Sequence, residues 1–153
     1  MRRAVLDTNV IVSGIIVGKG PPAALLAAWR ERRYDLVISG AILEEVERVL
    51  RLPRISRAYG LADQDISALL RLLTSRAMLV PESRSIPRHA RDPGDDAILA
   101  CAVEGHADYI VGGDQDLLGL TRFEGIPIVT PAAFAAILKA PQGASRTLPR
   151  TAK

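Results

Sequence analysis

The sequence predicts an α/β protein, a three-layer α/β/α sandwich whose parallel sheet has about five short strands. Five short runs of consecutive apolar residues recur along the 153 residues, the pattern of strands covered on both faces. Stretches with helical spacing separate these runs, and no internal repeat or linker interrupts them. A chain of this length buries enough surface to fold as one ordinary domain.

The predicted strands and helices alternate in order. The strands are residues 4–6, 35–38, 77–80, 108–111 and 127–130. Pro21-Pro22 opens the first helix, since proline is favoured in a first helical turn, and Asp63 is the expected N-cap of the third. The helices are 21–33, 42–50, the stretch after Asp63, a segment that starts at Asp92-Pro93 and stops at Gly105, and 131–138.

We expect residues 1–138 to form this single domain and residues 139–153 to be a disordered, basic tail. The only cysteine, Cys101, lies in an apolar run, which excludes a disulfide framework and a cysteine metal site and suits a reducing cytoplasm. No apolar run approaches the ~20 residues that span a bilayer. We therefore expect a soluble cytoplasmic protein with no membrane partner.

The net charge of +3 does not by itself indicate nucleic-acid binding. Four of the 20 basic residues lie in the last fifteen positions, so the rest of the chain has 16 basic and 17 acidic residues. Binding to a nucleic acid therefore has to be inferred from the positions of individual basic residues.

Acidic residues follow two of the predicted strands. Asp7 comes directly after the first strand, and Asp114 and Asp116 follow the strand that ends at Val111. Ligands of open α/β sheets bind beyond the carboxyl ends of the strands. The simpler interpretation of each aspartate is a turn or helix-cap residue. For Asp116 this interpretation and a role in ligand binding are equally supported.

Helical spacing separates the acids of the helices. Asp95 precedes Ile98, Leu99 and Ala102 by three, four and seven positions and so lies on the inward stripe, whereas Asp96 points elsewhere.

The same spacing places Glu44 in solvent, opposite the apolar stripe of the second helix. Glu45 and Glu47 flank that stripe on either side, so the spacing alone leaves both as candidates.

Three to five carboxylates are therefore expected at one edge of the sheet. Carboxylates that close repel one another unless hard divalent cations neutralise them. Ligation by oxygen alone favours Mg²⁺ or Mn²⁺, and such ions suit phosphoryl chemistry. Asp7 is accordingly interpreted as a metal ligand.

Four blocks of sequence carry a family resemblance: Leu6-Asp7-Thr8-Asn9-Val10; Ser39 with Glu45; Asp92-Pro93-Gly94-Asp95 leading into Leu99-Ala100-Cys101-Ala102; and Val111-Gly112-Gly113-Asp114-Gln115-Asp116-Leu117-Leu118. In order and spacing they resemble the PIN-domain ribonucleases, in particular the VapC-like toxins of bacterial toxin-antitoxin systems. The resemblance covers roughly residues 4 to 134.

The resemblance implies a Mg²⁺- or Mn²⁺-dependent endoribonuclease with the catalytic acids Asp7, Glu45, Asp95 and Asp114. It implies metal ligation by Asp7, Asp95, Asp114 and the auxiliary Asp116, and it favours Glu45 over Glu47. Thr8, Asn9 and Ser39 would hold the acids or their waters. A homodimer and an inhibitory antitoxin are the implied partners. Gly113 departs from the family pattern, where threonine is frequent.

An RNA substrate requires cationic contacts near the acids. The candidates are a segment that leads into Asp92, with Arg84, Arg88, His89 and Arg91, and an earlier basic segment, with Arg51, Arg54 and Arg57 near Tyr59. A solvated basic loop is the alternative interpretation.

Two other function classes compete. A haloacid-dehalogenase-type phosphatase would need an acid where Asn9 stands and a mid-chain lysine, and the only lysines are Lys19, Lys139 and Lys153. A PIN fold without turnover that only binds RNA or protein retains more support, because the presence of the acids does not prove activity.

Overall fold

The first strand, β1 (Arg3–Leu6), lies inside a six-stranded sheet of strand order β3-β2-β1-β4-β6-β5. The computed structural model describes residues 1–81 and 93–140. The strands are β1 (Arg3–Leu6), β2 (Asp35–Ser39), β3 (Met78–Val80), β4 (Tyr109–Val111), β5 (Arg122–Phe123) and β6 (Ile126–Val129); the helices are α1 (Thr8–Ile16), α2 (Pro21–Arg30), α3 (Gly40–Leu50), α4 (Pro53–Ser56), α5 (Asp63–Arg76), α6 (Pro93–Glu104), α7 (Gln115–Leu118) and α8 (Pro131–Lys139).

The predicted parallel sheet is confirmed, with helices packed against it. β1 pairs in parallel with β2 and with β4, and β3 and β6 extend the sheet on either side. All five predicted strands are present within two residues of their predicted bounds. The addition is β5, which pairs antiparallel with β6 at one edge.

The core is built from the central strands, which are apolar on both faces. Ala4, Val5 and Leu6 of β1 are completely buried, as are Val37 and Ile38 of β2. Cys101 is buried in this core, in agreement with the packing role expected of it.

Three helices were not predicted, and one predicted cap is wrong by one position. The missed helices are α1, α4 and α7. The N-cap position of α5 is Ala62, and Asp63 is the first residue inside the helix. An acid in the first helical turn still interacts favourably with the helix dipole, so Asp63 stabilises the same helix end from a different position.

The tail beyond residue 140 and the segment 82–92, which contains Arg84, Arg88, Arg91 and Asp92, lie outside the described residues. Within the described parts of the chain, no single helix has the length and apolar character needed to cross a membrane. α1 and α2 meet that requirement only as a pair, and they are bent by 89° relative to each other.

Candidate active site

Asp7 occupies the position directly after β1 at the carboxyl edge of the sheet. Its backbone N–H donates to the carbonyl oxygen of Val111 over 2.8 Å, and its own carbonyl accepts from the N–H of Val10 and of Ile11. Its carboxylate caps α1, accepting from the N–H of Asn9 at Oδ1 over 3.4 Å. The aspartate is thus fixed between β1, β4 and α1, with only 5 % of its surface exposed.

Asp95 is the second buried carboxylate, with 4 % of its surface exposed. It lies in the first turn of α6, which packs against β1, β2 and β4. Because α6 leads into β4 and must run against the strand direction, its first turn lies at the carboxyl edge, as Asp7 does. The inward position predicted for Asp95 is confirmed, and Asp96 is more exposed than its neighbour.

Both carboxylates are largely removed from water, which is costly for charged groups unless cations or hydrogen-bond donors lie close. The Oδ2 atom of Asp7 and that of Asp95 are each inaccessible to solvent. These are the hard oxygen donors that Mg²⁺ and Mn²⁺ prefer.

Gly112 leaves room beside the carboxylate of Asp7. A Cβ atom at position 112 would lie 3.5 Å from Oδ2 of Asp7 and 2.8 Å from Cδ2 of Leu117. A Cβ at Gly113 would meet nothing within 4 Å. A side chain at position 112 would therefore force Leu117 to move, and one at position 113 would not.

Asp114 and Asp116 follow β4 but lie nearer to solvent. Asp114 caps α7, its Oδ1 accepting from the N–H of Asp116 over 3.0 Å. Asp116 is exposed. The simple reading of Asp114 as a helix cap is therefore correct, and it is compatible with a second role for its other oxygen.

Glu45 lies on α3 and makes an ion pair. Arg48 donates to it through Nε over 3.0 Å and Nη2 over 2.7 Å. This hydrogen bonding is the main reason why the pKa of Glu45 falls below its ordinary value of 4.5. Glu47 pairs instead with Arg51, and Glu44 is exposed as predicted.

The supporting residues differ in their surroundings. Ser39 is 4 % exposed and caps α3, its Oγ accepting from the N–H of Ile42 over 3.4 Å. Thr8 is buried, and the Asn9 side chain is exposed. Ser39 also lines a cavity of about 180 Å³ between α6 and the ends of β2 and β3.

The structure thus places Asp7, Asp95, Asp114 and Ser39 at one edge of the sheet, while it turns Glu45 toward Arg48. Among the side chains in the described ranges, no three His, Cys, Asp or Glu residues are grouped closely enough to hold a metal ion. Arg54 is exposed on α4. The catalytic and metal-binding roles remain predictions.

No role was assigned from the sequence to two residues of this region, Arg48 and Gly112. The spacing of Glu45 and Arg48, three positions apart on a helix, was the available signal for the first. For Gly112 the signal was a glycine directly after a buried strand, where a neighbouring group approaches closely.

Comparison with known proteins gives matches to a family and to a relative. A family model described as a PIN domain matches residues 3–116. An uncharacterized protein of Methanocaldococcus jannaschii is 27 % identical over 118 residues, which is 77 % of this chain and 74 % of that protein.

Among solved structures, a chain in the crystal structure of VapBC2 from Rickettsia felis bound to a DNA fragment from their promoter has a similar fold. The TM-score is 0.56 at 14 % identity, covering 84 % of this chain and 98 % of that one. At this identity the similarity concerns the fold alone.

Proposed function

Since the chain belongs to the PIN-domain family by the match over residues 3–116, we propose that it is a Mg²⁺- or Mn²⁺-dependent endoribonuclease and the toxin of a toxin-antitoxin pair. The observation that carries the proposal is the burial of two carboxylates, Asp7 and Asp95, at the carboxyl edge of the parallel sheet. Two buried carboxylates in such a place supply hard oxygen ligands for a divalent cation.

The residues present fit a hard divalent cation, because every candidate ligand is a carboxylate oxygen. By the proposal, Asp7, Asp95 and Asp114 would hold the ion, with Asp116 as an auxiliary ligand at the exposed side. As described, these side chains are not grouped closely enough to do so, and they would have to move together around the ion. The ion, when bound, would activate a water molecule and neutralise charge on the scissile phosphate.

The remaining roles belong to side chains that orient these acids. The N–H of Asn9 fixes one oxygen of Asp7, which sets the direction of the other. Ser39 begins α3 at the same edge and thereby sets the position of Glu45 on that helix. Buried Thr8 packs next to Asp7. We assign these three residues to positioning rather than to chemistry.

The proposed partners are an RNA substrate, a cognate antitoxin protein and a second copy of this chain, in the cytoplasm. Arg54 and the segment containing Arg84, Arg88 and Arg91 are the proposed phosphate contacts. One solved structure of similar fold is VapBC2 bound to a promoter DNA fragment, and this likeness supports the proposal of an antitoxin partner.

The experiment is cleavage of end-labelled structured and unstructured RNAs by the purified protein with Mg²⁺, Mn²⁺ or EDTA. Asp7→Asn serves as the inactive variant. We expect cleavage that needs the metal ion and is lost in the variant. Cleavage that survives EDTA, or that Asp7→Asn retains, would contradict the proposal.

A PIN fold that binds RNA without cutting it is the second candidate. The ion pair between Glu45 and Arg48 favours it, because the arginine competes with a metal ion for that carboxylate. RNA binding by the wild-type protein without cleavage in any metal would establish this alternative.

A further inference from the structure

The carboxylate of Glu45 is held by Arg48 at both oxygens. Nε of Arg48 lies 3.0 Å from Oε1, and Nη2 lies 2.7 Å from Oε2. Paired N–H donors in this arrangement match the two oxygens of a carboxylate, and they match two oxygens of a phosphate equally well.

In this structure both carboxylate oxygens of Glu45 are therefore occupied by Arg48, whereas the proposed reaction needs at least one of them. If it is a catalytic acid, as the proposed function requires, at least one of its oxygens has to leave Arg48. The side chains of Arg48 and Glu45 are 61 % and 42 % exposed. Exposed pairs are weak, worth about a fivefold change in an equilibrium constant at most, so a divalent cation can displace the arginine.

The displaced arginine would lie one helical turn further from the carboxyl edge than Glu45, with its guanidinium group free to extend through solvent toward the acids. It is one helical turn from Glu45, on the same face of α3. An RNA phosphate approaching the acids would then meet a planar cation that can contact two of its oxygens.

We infer that Arg48 is a substrate-binding residue that exchanges partners. It pairs with Glu45 in the metal-free protein and with an RNA phosphate once a metal ion has engaged Glu45. The inference rests on the proposed nuclease function and adds to it a residue of this chain that competes with the metal ion.

Arg51 provides a matched control three residues further along. It is an arginine near the end of the same helix and is also ion-paired, but its partners are Glu47 and Asp63, which have no proposed role in the site. Replacing Arg48 by alanine removes one exposed pair and replacing Arg51 removes two, but only the first replacement releases Glu45.

The first measurement is a titration of the full chain with Mn²⁺ in the absence of RNA. The electron paramagnetic resonance signal of the free ion reports how much Mn²⁺ is bound. We expect Arg48→Ala to bind Mn²⁺ about two- to fivefold more tightly than the wild type, because the competing cation is gone. Arg51→Ala should bind Mn²⁺ as the wild type does. Unchanged affinity in Arg48→Ala, or an equal gain in Arg51→Ala, would overturn the inference.

The second measurement is binding of a fluorescent single-stranded RNA in the presence of Ca²⁺ at several salt concentrations. Arg48→Ala loses one phosphate contact, so it should bind the RNA more weakly than the wild type does. The magnitude of the negative slope of log K against log salt should be smaller by about 0.7. A slope equal to that of the wild type would overturn the phosphate role.

The two measurements also separate this inference from the nuclease proposal. If the wild type neither binds nor cuts RNA, the nuclease proposal fails, whatever the Mn²⁺ titrations show. If the wild type cuts RNA and Arg48→Ala has wild-type affinity for both Mn²⁺ and RNA, the nuclease proposal stands and the exchange of partners is wrong.

Discussion

The N–H of Asp7 and the carbonyl oxygen of Val111 are joined by a hydrogen bond of 2.8 Å, which continues the ladder between β1 and β4 by one residue. The candidate ligand is therefore placed by backbone pairing rather than by a flexible loop. Substitutions of its side chain should consequently act on chemistry more than on the fold.

The first prediction concerns Asp7 and Asp95. Changing either to asparagine should reduce RNA cleavage by more than about a hundredfold, because each replacement removes a charged ligand. Asparagine caps helices as well as aspartate does, so the far-UV circular dichroism of Asp7→Asn should match the wild type. Cleavage assays of purified variants test this.

Asp96→Asn is the matched control for Asp95→Asn, because the two residues are adjacent in α6 and only Asp95 is fully buried. The control should cut RNA within a fewfold of the wild-type rate. An essential Asp96 with a dispensable Asp95 would show that the assignment of the inward face is wrong.

The second prediction concerns metal binding and thermal stability. Mn²⁺ at about 100 times its dissociation constant should stabilise the folded state by about 2.7 kcal/mol, and EDTA should reverse the effect. Differential scanning fluorimetry measures the shift. Asp7→Asn should show a much smaller shift, and an equal shift in the variant would place the metal ion elsewhere.

The third prediction concerns Gly112. Alanine at this position should destabilise the protein by about 1–3 kcal/mol, because the new Cβ forces the buried Leu117 side chain to move. The same methyl group faces Oδ2 of Asp7, so cleavage should fall as well. Urea denaturation and cleavage assays give the two quantities.

Gly113→Ala is the control for Gly112→Ala, since the added atom meets nothing within 4 Å. It should change stability and activity only slightly. Equal losses in both variants would mean that a general loss of backbone freedom, not contact with Leu117, explains the effect.

The fourth prediction concerns pH. Tyr34 is buried, and its hydroxyl donates to the carbonyl oxygen of Leu25 over 2.8 Å. Burial raises the pKa of Tyr34 above its ordinary value of 10.0. The neutral form is therefore favoured in the folded state, and its contribution to stability is complete below pH 10 and lost as the pH rises above that value.

Tyr34→Phe should lose about 1–2 kcal/mol at neutral pH because the Leu25 carbonyl loses its donor. Above pH 10 its stability should fall less steeply than that of the wild type, by up to about 1.4 kcal/mol per pH unit. Urea denaturation at several pH values measures both effects. Tyr59→Phe, at an exposed position, should have neither effect.

The buried parallel strands could be predicted well because their residues are apolar at consecutive positions, which is typical of strands covered on both faces. The prediction failed at α1, where Val10, Ile11 and Val12 look like the continuation of a strand. The cap formed by Asp7 decides the matter, because its carboxylate and carbonyl accept from the N–H groups that open a helix. A polar residue therefore outweighed three β-branched ones.

β5 was missed because its two residues are too few to form a pattern, and with it the hairpin that it forms with β6. Its turn did carry a signal, since Glu124 and Gly125 both have positive φ, 49° and 81°. Two-residue turns of this kind favour glycine. The Glu124-Gly125 pair could have been interpreted as such a turn.

For the candidate site, spacing on a helix was enough to separate Asp95 from Asp96, because burial follows the helical face. It was not enough to describe Glu45. The direction of the Glu45 side chain depends on whether it pairs with Arg48 on the same helix or with a metal ion at the sheet edge. The spacing of apolar residues contains no information about that choice.

The pairing of Leu6 with Val111 also sets an order of events during synthesis. β1 leaves the ribosome first, but β4 follows only after about a hundred further residues, on the order of 5–20 s later at ordinary elongation rates. Until then Asp7 has neither Val111 nor the helix bearing Asp95 beside it. The proposed nuclease site is therefore incomplete until β4 has emerged, and before that point the nascent chain cannot cut the messenger and ribosomal RNA beside it.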